Sequence, residues 1–120
     1  MEHTRLAEAE YRFACIVWEH EPLPSGKLVE LCNEQLGWKK STTYTVLKKL
    51  VDRGVLRNEN AVVTALIPKE EIQREESKAV VERTFGGSLP SFLAAFMGGR
   101  TISDDEAEEL KSIIDQYRKG

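Results

Sequence analysis

Residues 38–56 read WKKSTTYTVLKKLVDRGVL. Thr43, Val46, Leu47, Leu50 and Val51 recur at spacings of three and four, which gathers them on one face of an amphipathic helix. Gly54 stands where a helix ends on a residue free to take left-handed backbone. Ser41 is the candidate cap at the other end. With successive residues about 100° apart, Ser41, Thr45, Lys48 and Asp52 fall opposite the apolar stripe, and Thr42, Tyr44 and Lys49 flank them. Two lysine pairs, Lys39-Lys40 and Lys48-Lys49, bracket this hydroxyl-rich start.

The segments on either side supply a frame for that helix. Leu6, Ala9, Phe13, Ile16 and Val17 predict a helix from Leu6 to about Glu19, with Thr4 as its cap. Glu21-Pro22-Leu23-Pro24 stops it, since proline lacks an N–H donor and disfavours helix in the residue before it. Ser25 is then the cap of a second helix carrying Leu28, Val29, Leu31, Cys32 and Leu36, closed by Gly37. After the third helix, Val55-Leu56 and the β-branched run Ala61 to Ile67 predict two short strands around a turn at Asn58-Glu59-Asn60. Helix, helix, helix and β-hairpin in that order is a winged helix-turn-helix arrangement, expected over residues 1–68.

Residues 69–120 are expected to be a helical dimerisation region. Ile72, Ala79, Val80, Val81 and Phe85 continue a helical pattern up to Gly86-Gly87. Leu89, Phe92, Leu93, Phe96 and Met97 make a short apolar segment after an interruption at Pro90. Ser103 with Glu106 has capping-box spacing at the start of a last helix, whose stripe is Leu110, Ile113, Ile114 and Tyr117. Asp104 and Asp105 suit its N-terminus, and Arg118 and Lys119 its C-terminus. These apolar residues are too sparse to close a core of their own, so Phe85, Leu89, Phe92, Leu93, Phe96, Leu110, Ile113, Ile114 and Tyr117 are expected to meet a second copy of the chain. The fold class is therefore mainly α with a small β-hairpin: a winged helix-turn-helix followed by C-terminal dimerisation helices.

Composition narrows the functional classes. With 41% hydrophobic and 31% charged residues the 120-residue chain is globular in character. The start MEHTRLAEAEYR shows no signal-peptide pattern, and no apolar run reaches a membrane span, so a cytoplasmic protein without stable membrane association is expected. Cys15 and Cys32 lie in apolar helical patterns and read as reduced core thiols. No cysteine-histidine cluster, nucleophile set or glycine-rich phosphate loop occurs, so neither a metal, a cofactor nor an enzyme is expected.

Net charge is −3, unevenly spread. Residues 38–67 hold six basic and two acidic side chains, a local +4, between flanks of −4 and −3. Phosphate recognition is local, because screening confines electrostatics to about 10 Å at ordinary salt. Lysines on an exposed helix are ordinarily only a solvated face. Two pairs bracketing Ser41, Thr42, Tyr44 and Thr45, on the third helix of this element order, point instead to double-stranded DNA. Lys39, Lys40, Lys48 and Lys49 suit phosphates, while the hydroxyls and the Thr methyls suit base edges. The alternative is a winged-helix protein-interaction module binding an acidic protein partner, which the overall acidity and the acidic turn favour.

The chain resembles the penicillinase-repressor family of bacterial transcriptional repressors, the BlaI/MecI/CopY type, over nearly its whole length. The resemblance lies in Ala9-Glu10 leading to Ile16-Val17-Trp18, in Trp38-x-x-x-Thr42-x-x-Thr45-x-x-x-x-Leu50-x-x-x-Gly54, and in SFLAAFMGGRTISDDEAEELKSIID at 91–115. It implies a homodimer whose winged helices bind a dyad operator and whose C-terminal helices dimerise. It transfers DNA contacts to Ser41, Thr42, Tyr44, Thr45 and Lys49. It also implies relief by cleavage in the dimerisation region, triggered by a membrane sensor protease, with Ala95–Phe96 as the matching bond. The better-studied repressors have Asn where this chain has Ala95. The copper-responsive branch carries a C-terminal cysteine cluster that is absent here. The wing is short and acidic, which leaves Arg57 as its candidate phosphate contact.

Overall fold

The structure, a computed structural model, describes residues 5–119. The described elements are α1 (Glu8–His20), β1 (Leu23–Pro24), α2 (Ser25–Leu36), α3 (Lys40–Asp52), β2 (Leu56–Glu59), β3 (Val62–Ala65), α4 (Lys69–Phe85), α5 (Leu89–Met97) and α6 (Asp104–Tyr117). Contacts divide the chain into two compact units, Met1–Val80 and Val81–Gly120. The sequence suggests a boundary near Pro68. The division falls within α4, because Ile72 on its first turns is buried in the core of the first unit.

That core is made by α1, α2, α3 and the sheet. Phe13, Ile16 and Val17 from α1 meet Leu28, Leu31 and Cys32 from α2, Leu47 and Leu50 from α3, and Leu23, Val55, Leu56 and Val63 from the sheet and its approach. Phe13 also stacks on Trp38, ring centroids 5.7 Å apart. This contact is worth about 1 kcal/mol beyond area burial and pins the α2–α3 connection to α1. Trp18 donates its indole N–H to the Ile67 carbonyl at 3.1 Å, which ties α1 to the strand exit. Cys32 is buried and Cys15 half-buried, both as free thiols. Burial pushes the Cys32 thiol up to about 11, against a hydrogen bond with Thr43 that lowers it.

The sheet holds three antiparallel strands in the order β1-β3-β2. The sequence pattern shows only two, because Leu23-Pro24 reads as a proline-rich stop. Both residues pair with β3, Leu23 with Val63 and Pro24 with Val62, in an edge strand where a missing N–H is tolerated. The hairpin turn also differs from expectation. Asn58 and Glu59 are paired strand residues, and the loop is Asn60-Ala61. Both have left-handed φ, 54° and 61°, as a two-residue type I′ connection requires. The Ala61 carbonyl accepts from the Ser25 N–H at 2.8 Å, so the turn is fastened to the start of α2.

Three helix starts differ from expectation as well. The first helix begins at Glu8, not Leu6, and Thr4 lies outside the described residues. Glu10 reaches back to accept from the Ala7 N–H at 2.9 Å. Ser25 and Ser41 are residues inside α2 and α3, which have Pro24 and Lys39 at their N-caps and no side-chain capping bond. In the second unit the cap prediction holds: Ser103 Oγ accepts from the Glu106 N–H at 3.1 Å. Pro90 sits in the first turn of α5, where no N–H is needed, so it opens that helix. Ser88 caps it, accepting from the Ser91 N–H at 3.1 Å. Within this unit Phe92 meets Phe85 edge to face at 5.5 Å and stacks on Phe96 at 6.1 Å.

Among the described residues of the first unit, Glu10 is a buried carboxylate with unusual support. It is 7% exposed. Its oxygens lie 2.8 Å from Lys49 Nζ on α3 and 3.2 Å from Nη1 of Arg53, the residue that ends that helix. Arg53 also donates to the Arg5 carbonyl. Burial pushes the Glu10 carboxyl up, but the Lys49 hydrogen bond, the Ala7 amide and the charges of Lys49 and Arg53 together outweigh it, and the net shift is downward.

Two expectations follow from these geometries. Ala61→Gly relieves a Cβ in left-handed backbone and should raise unfolding free energy by about 0.5 kcal/mol after the added unfolded-state entropy of glycine, read from urea melts. A fall in stability would show that the turn holds alanine without strain. Glu10→Gln should cost about 2 kcal/mol near neutral pH, below the usual range for a broken buried pair because Lys49 is 59% exposed. A carboxylate whose folded pKa is depressed contributes stability above its unfolded value of 4.5 and loses it as pH falls through the folded pKa. The gap between wild type and Glu10→Gln should therefore close on acidification below that value. A gap independent of pH would contradict this account.

Candidate nucleic-acid interface

The arrangement around α3 starts with a tight turn. Gly37 at the end of α2 has φ 71°, and its N–H donates to the Asn33 carbonyl at 3.1 Å. Asn33 Nδ2 donates to the Trp38 carbonyl at 3.1 Å, closing the turn from the side-chain direction. Only residues 37–39 separate α2 from α3, the short glycine-containing connection of a helix-turn-helix.

The inner face of α3 is set by Thr43, Leu47 and Leu50, all buried. Thr43 can be buried because its hydroxyl donates to the Lys39 carbonyl at 3.2 Å. Helical geometry then forces the other side out. Lys39, Lys40, Ser41, Thr42, Tyr44, Thr45, Lys48 and Lys49 are all exposed. Without a side-chain cap, the first-turn N–H groups of α3 are available to an anion.

The individual side chains are held differently. Thr45 donates its hydroxyl to the Ser41 carbonyl at 2.9 Å, which leaves its methyl and oxygen lone pairs outward. The Tyr44 hydroxyl reaches Ser25 Oγ at 3.3 Å, so its ring lies toward the start of α2. Lys48 pairs with Asp52 one turn on at 3.0 Å, between two exposed side chains, an interaction worth about 0.4 kcal/mol. Lys49 points to the other flank, where it meets Glu10. The structure thus brings Ser41, Thr42, Thr45 and Lys48 onto one surface, sets Tyr44 at its edge, and turns Lys49 toward α1.

Arg57 is exposed on β2 of the wing, paired across the hairpin with Thr64. Beside it, Asn58 lines a cleft with Tyr44, Leu47, Lys48, Val51 and Asp52. The sequence places Asn58 in a turn, and only the strand pairing carries it to α3. Glu10 and Asn33 are likewise silent in the sequence. Glu10 meets partners some forty residues away, a separation no local pattern reports. Asn33 lies five residues from Trp38 and looks like an ordinary exposed helix residue. Among the described residues, no group of three or more His, Cys, Asp or Glu side chains is placed to hold a metal ion. No helix among them is long and apolar enough to cross a membrane.

The second unit presents the complementary feature. No residue of α5 or α6 is buried. Leu89, Leu93, Phe96, Ile113, Ile114 and Tyr117 are all exposed large apolar side chains, Tyr117 at 78%. Phe85, Phe92 and Leu110 are half-buried. Ala95 and Phe96 lie in the last turn of α5, exposed, with the Arg100 guanidinium 4.7 Å from the Phe96 ring centre.

Comparison with known proteins agrees with this architecture. The penicillinase repressor family model matches residues 6–116. The methicillin resistance regulatory protein MecI of Staphylococcus aureus (strain Mu50) is 24% identical over 115 residues, covering 92% of this chain and 94% of that protein. The penicillinase repressor of Bacillus licheniformis is 21% identical over 118 residues, covering 95% and 92%. A penicillinase repressor of Staphylococcus aureus is 20% identical over the same length, covering 95% and 94%. With the family model spanning almost all of a mainly helical, winged chain, the protein belongs to the penicillinase repressor family, a family of DNA-binding transcriptional repressors.

Proposed function

We propose that the protein represses transcription as a homodimer, each protomer placing α3 in the major groove of one half of a dyad operator. The observation that carries this reading is the exposed row Ser41, Thr42 and Thr45 between basic side chains, on a helix whose opposite face is buried. The N-terminal part of such a helix meets base edges. Ser41, Thr42, Tyr44 and Thr45 are the base-reading candidates. Lys39, Lys40 and Lys48 serve phosphates, with Arg57 on the wing reaching the adjacent backbone.

The exposed apolar faces of α5 and α6 support the second half of the reading. An apolar surface of this kind on a small unit calls for a partner, and a second copy gives each operator half-site its own reading head. Linking two heads raises operator affinity through effective concentration, so cutting the chain between them releases it. The Ala95–Phe96 bond, exposed at the end of α5 and followed by Gly98-Gly99, is the proposed point of cleavage, and a membrane sensor protease the proposed agent.

In titrations followed by fluorescence anisotropy, a symmetric duplex from upstream of the protein's own gene should bind at sub-micromolar protein with a steep salt dependence. Thr42→Ala and Thr45→Ala should each weaken that complex by about 1–3 kcal/mol while hardly touching mixed-sequence DNA, whereas Lys40→Ala should weaken both alike. Equal losses on both DNAs for the threonine variants would remove them from base reading. Sedimentation of Ile114→Asp should show monomers at concentrations where the wild type is a dimer. A dimer of unchanged strength would place the interface elsewhere.

A further inference from the structure

We propose that Glu10 restrains the DNA-binding surface: its carboxylate holds the Lys49 ammonium out of phosphate contact, so that Lys49 adds nothing to the DNA affinity of the unaltered chain. The inference rests on α3 being the DNA-reading helix, and it assigns opposite roles to the two lysines of one pair.

Lys49 is within reach of the DNA side. It lies about 80° around α3 from Ser41, next to Thr42. Its ammonium is nonetheless 2.8 Å from Glu10 Oε2. Lys48 makes a comparable contact to Asp52 at 3.0 Å, but the two partners differ in what they lose. The Asp52 side chain is 63% exposed, so water replaces the lysine when a phosphate takes it. The Glu10 side chain is 9% exposed, and it is fixed on α1 by the Ala7 N–H and by Arg53. Drawing Lys49 away strips a charged partner from a carboxylate that water reaches poorly. A phosphate can therefore exchange in at Lys48 with little loss, and not at Lys49. Neutralising Glu10 removes the anchor and leaves Lys49 beside Arg53 as an added positive charge on that flank.

The test uses a fluorescein-labelled mixed-sequence duplex and the full chain, reading log affinity against log salt by anisotropy. Each phosphate contact contributes about 0.9 to the slope. Lys48→Met should make the slope shallower by about 0.9 per bound protomer, and Lys49→Met should leave it unchanged. Glu10→Gln, whose amide oxygen can still accept from Ala7 and Arg53, should steepen it by about 0.9 per protomer, an extra loss of about 3.5-fold between roughly 50 and 200 mM salt. Glu10→Gln combined with Lys49→Met should return to the wild-type slope. A shallower slope for Lys49→Met alone overturns the proposal, because Lys49 would already touch phosphate. So does a wild-type slope for a cooperatively melting Glu10→Gln, or a double variant that stays steep. If Glu10→Gln does not fold, Lys49→Met decides the matter by itself. A wild-type chain with no salt-dependent DNA binding would instead sink the DNA-binding reading on which this rests.

Discussion

Three buried side chains on one helix, Thr43, Leu47 and Leu50, govern the rest of the molecule. They lock the rotation of α3 about its own axis. Once Leu50 and Thr43 have no exposure, a helix of 3.6 residues per turn has no freedom in where Ser41, Thr45 and Lys48 point. The other devices serve that rotation. Gly37 and Asn33 shape the turn into α3, Trp38 stacks on Phe13, and the Val55 N–H bonds the Leu50 carbonyl at 2.9 Å as the chain leaves. A burial pattern that resembles ordinary core packing thereby becomes the aiming mechanism of the exposed face.

Charge plays two distinct parts in this molecule. Several ion pairs join exposed side chains three or four residues apart, such as Lys27–Glu30, Lys48–Asp52 and Lys111–Glu108, and contribute little because water competes on equal terms. The Glu10 cluster is of another kind. It joins α1 to α3 and its C-cap, and its carboxylate is shielded. A buried carboxylate is costly without partners and firm with them. The same ion pair that braces α3 against α1 also fixes where an exposed lysine directs its ammonium. Fold stability and surface electrostatics are therefore coupled through one carboxylate.

The second unit follows a different logic. Its helices are well capped and its aromatic rings touch one another, yet no residue of α5 or α6 is fully buried. Local signals suffice to form the helices, and the missing term is the burial that usually supplies most helical stability. That deficit is the physical ground for proposing a second copy as its partner. It also explains why residues spaced for a core, Leu110, Ile113, Ile114 and Tyr117, are left half-buried or exposed in one chain.

Much of the fold was legible because its signals are local. Period, proline and glycine marked out the three helices, the hairpin and the Ser103 cap, and the stripe at 43–51 named the inner face of α3. The failures share a cause. Ser25 and Ser41 look like caps, but the turns around them place Pro24 and Lys39 in that position. Leu23-Pro24 reads as a stop, because a two-residue edge strand exists only by virtue of Val62 and Val63 elsewhere in the chain. The sequence by itself determined the inner face of α3 and where positive charge accumulates, since both follow from spacing and residue type. Only the tertiary structure decided which partner each of those charges meets. Lys48 and Lys49 are adjacent and chemically identical, and they part company because one faces solvent beside Asp52 while the other meets a buried carboxylate thirty-nine residues away.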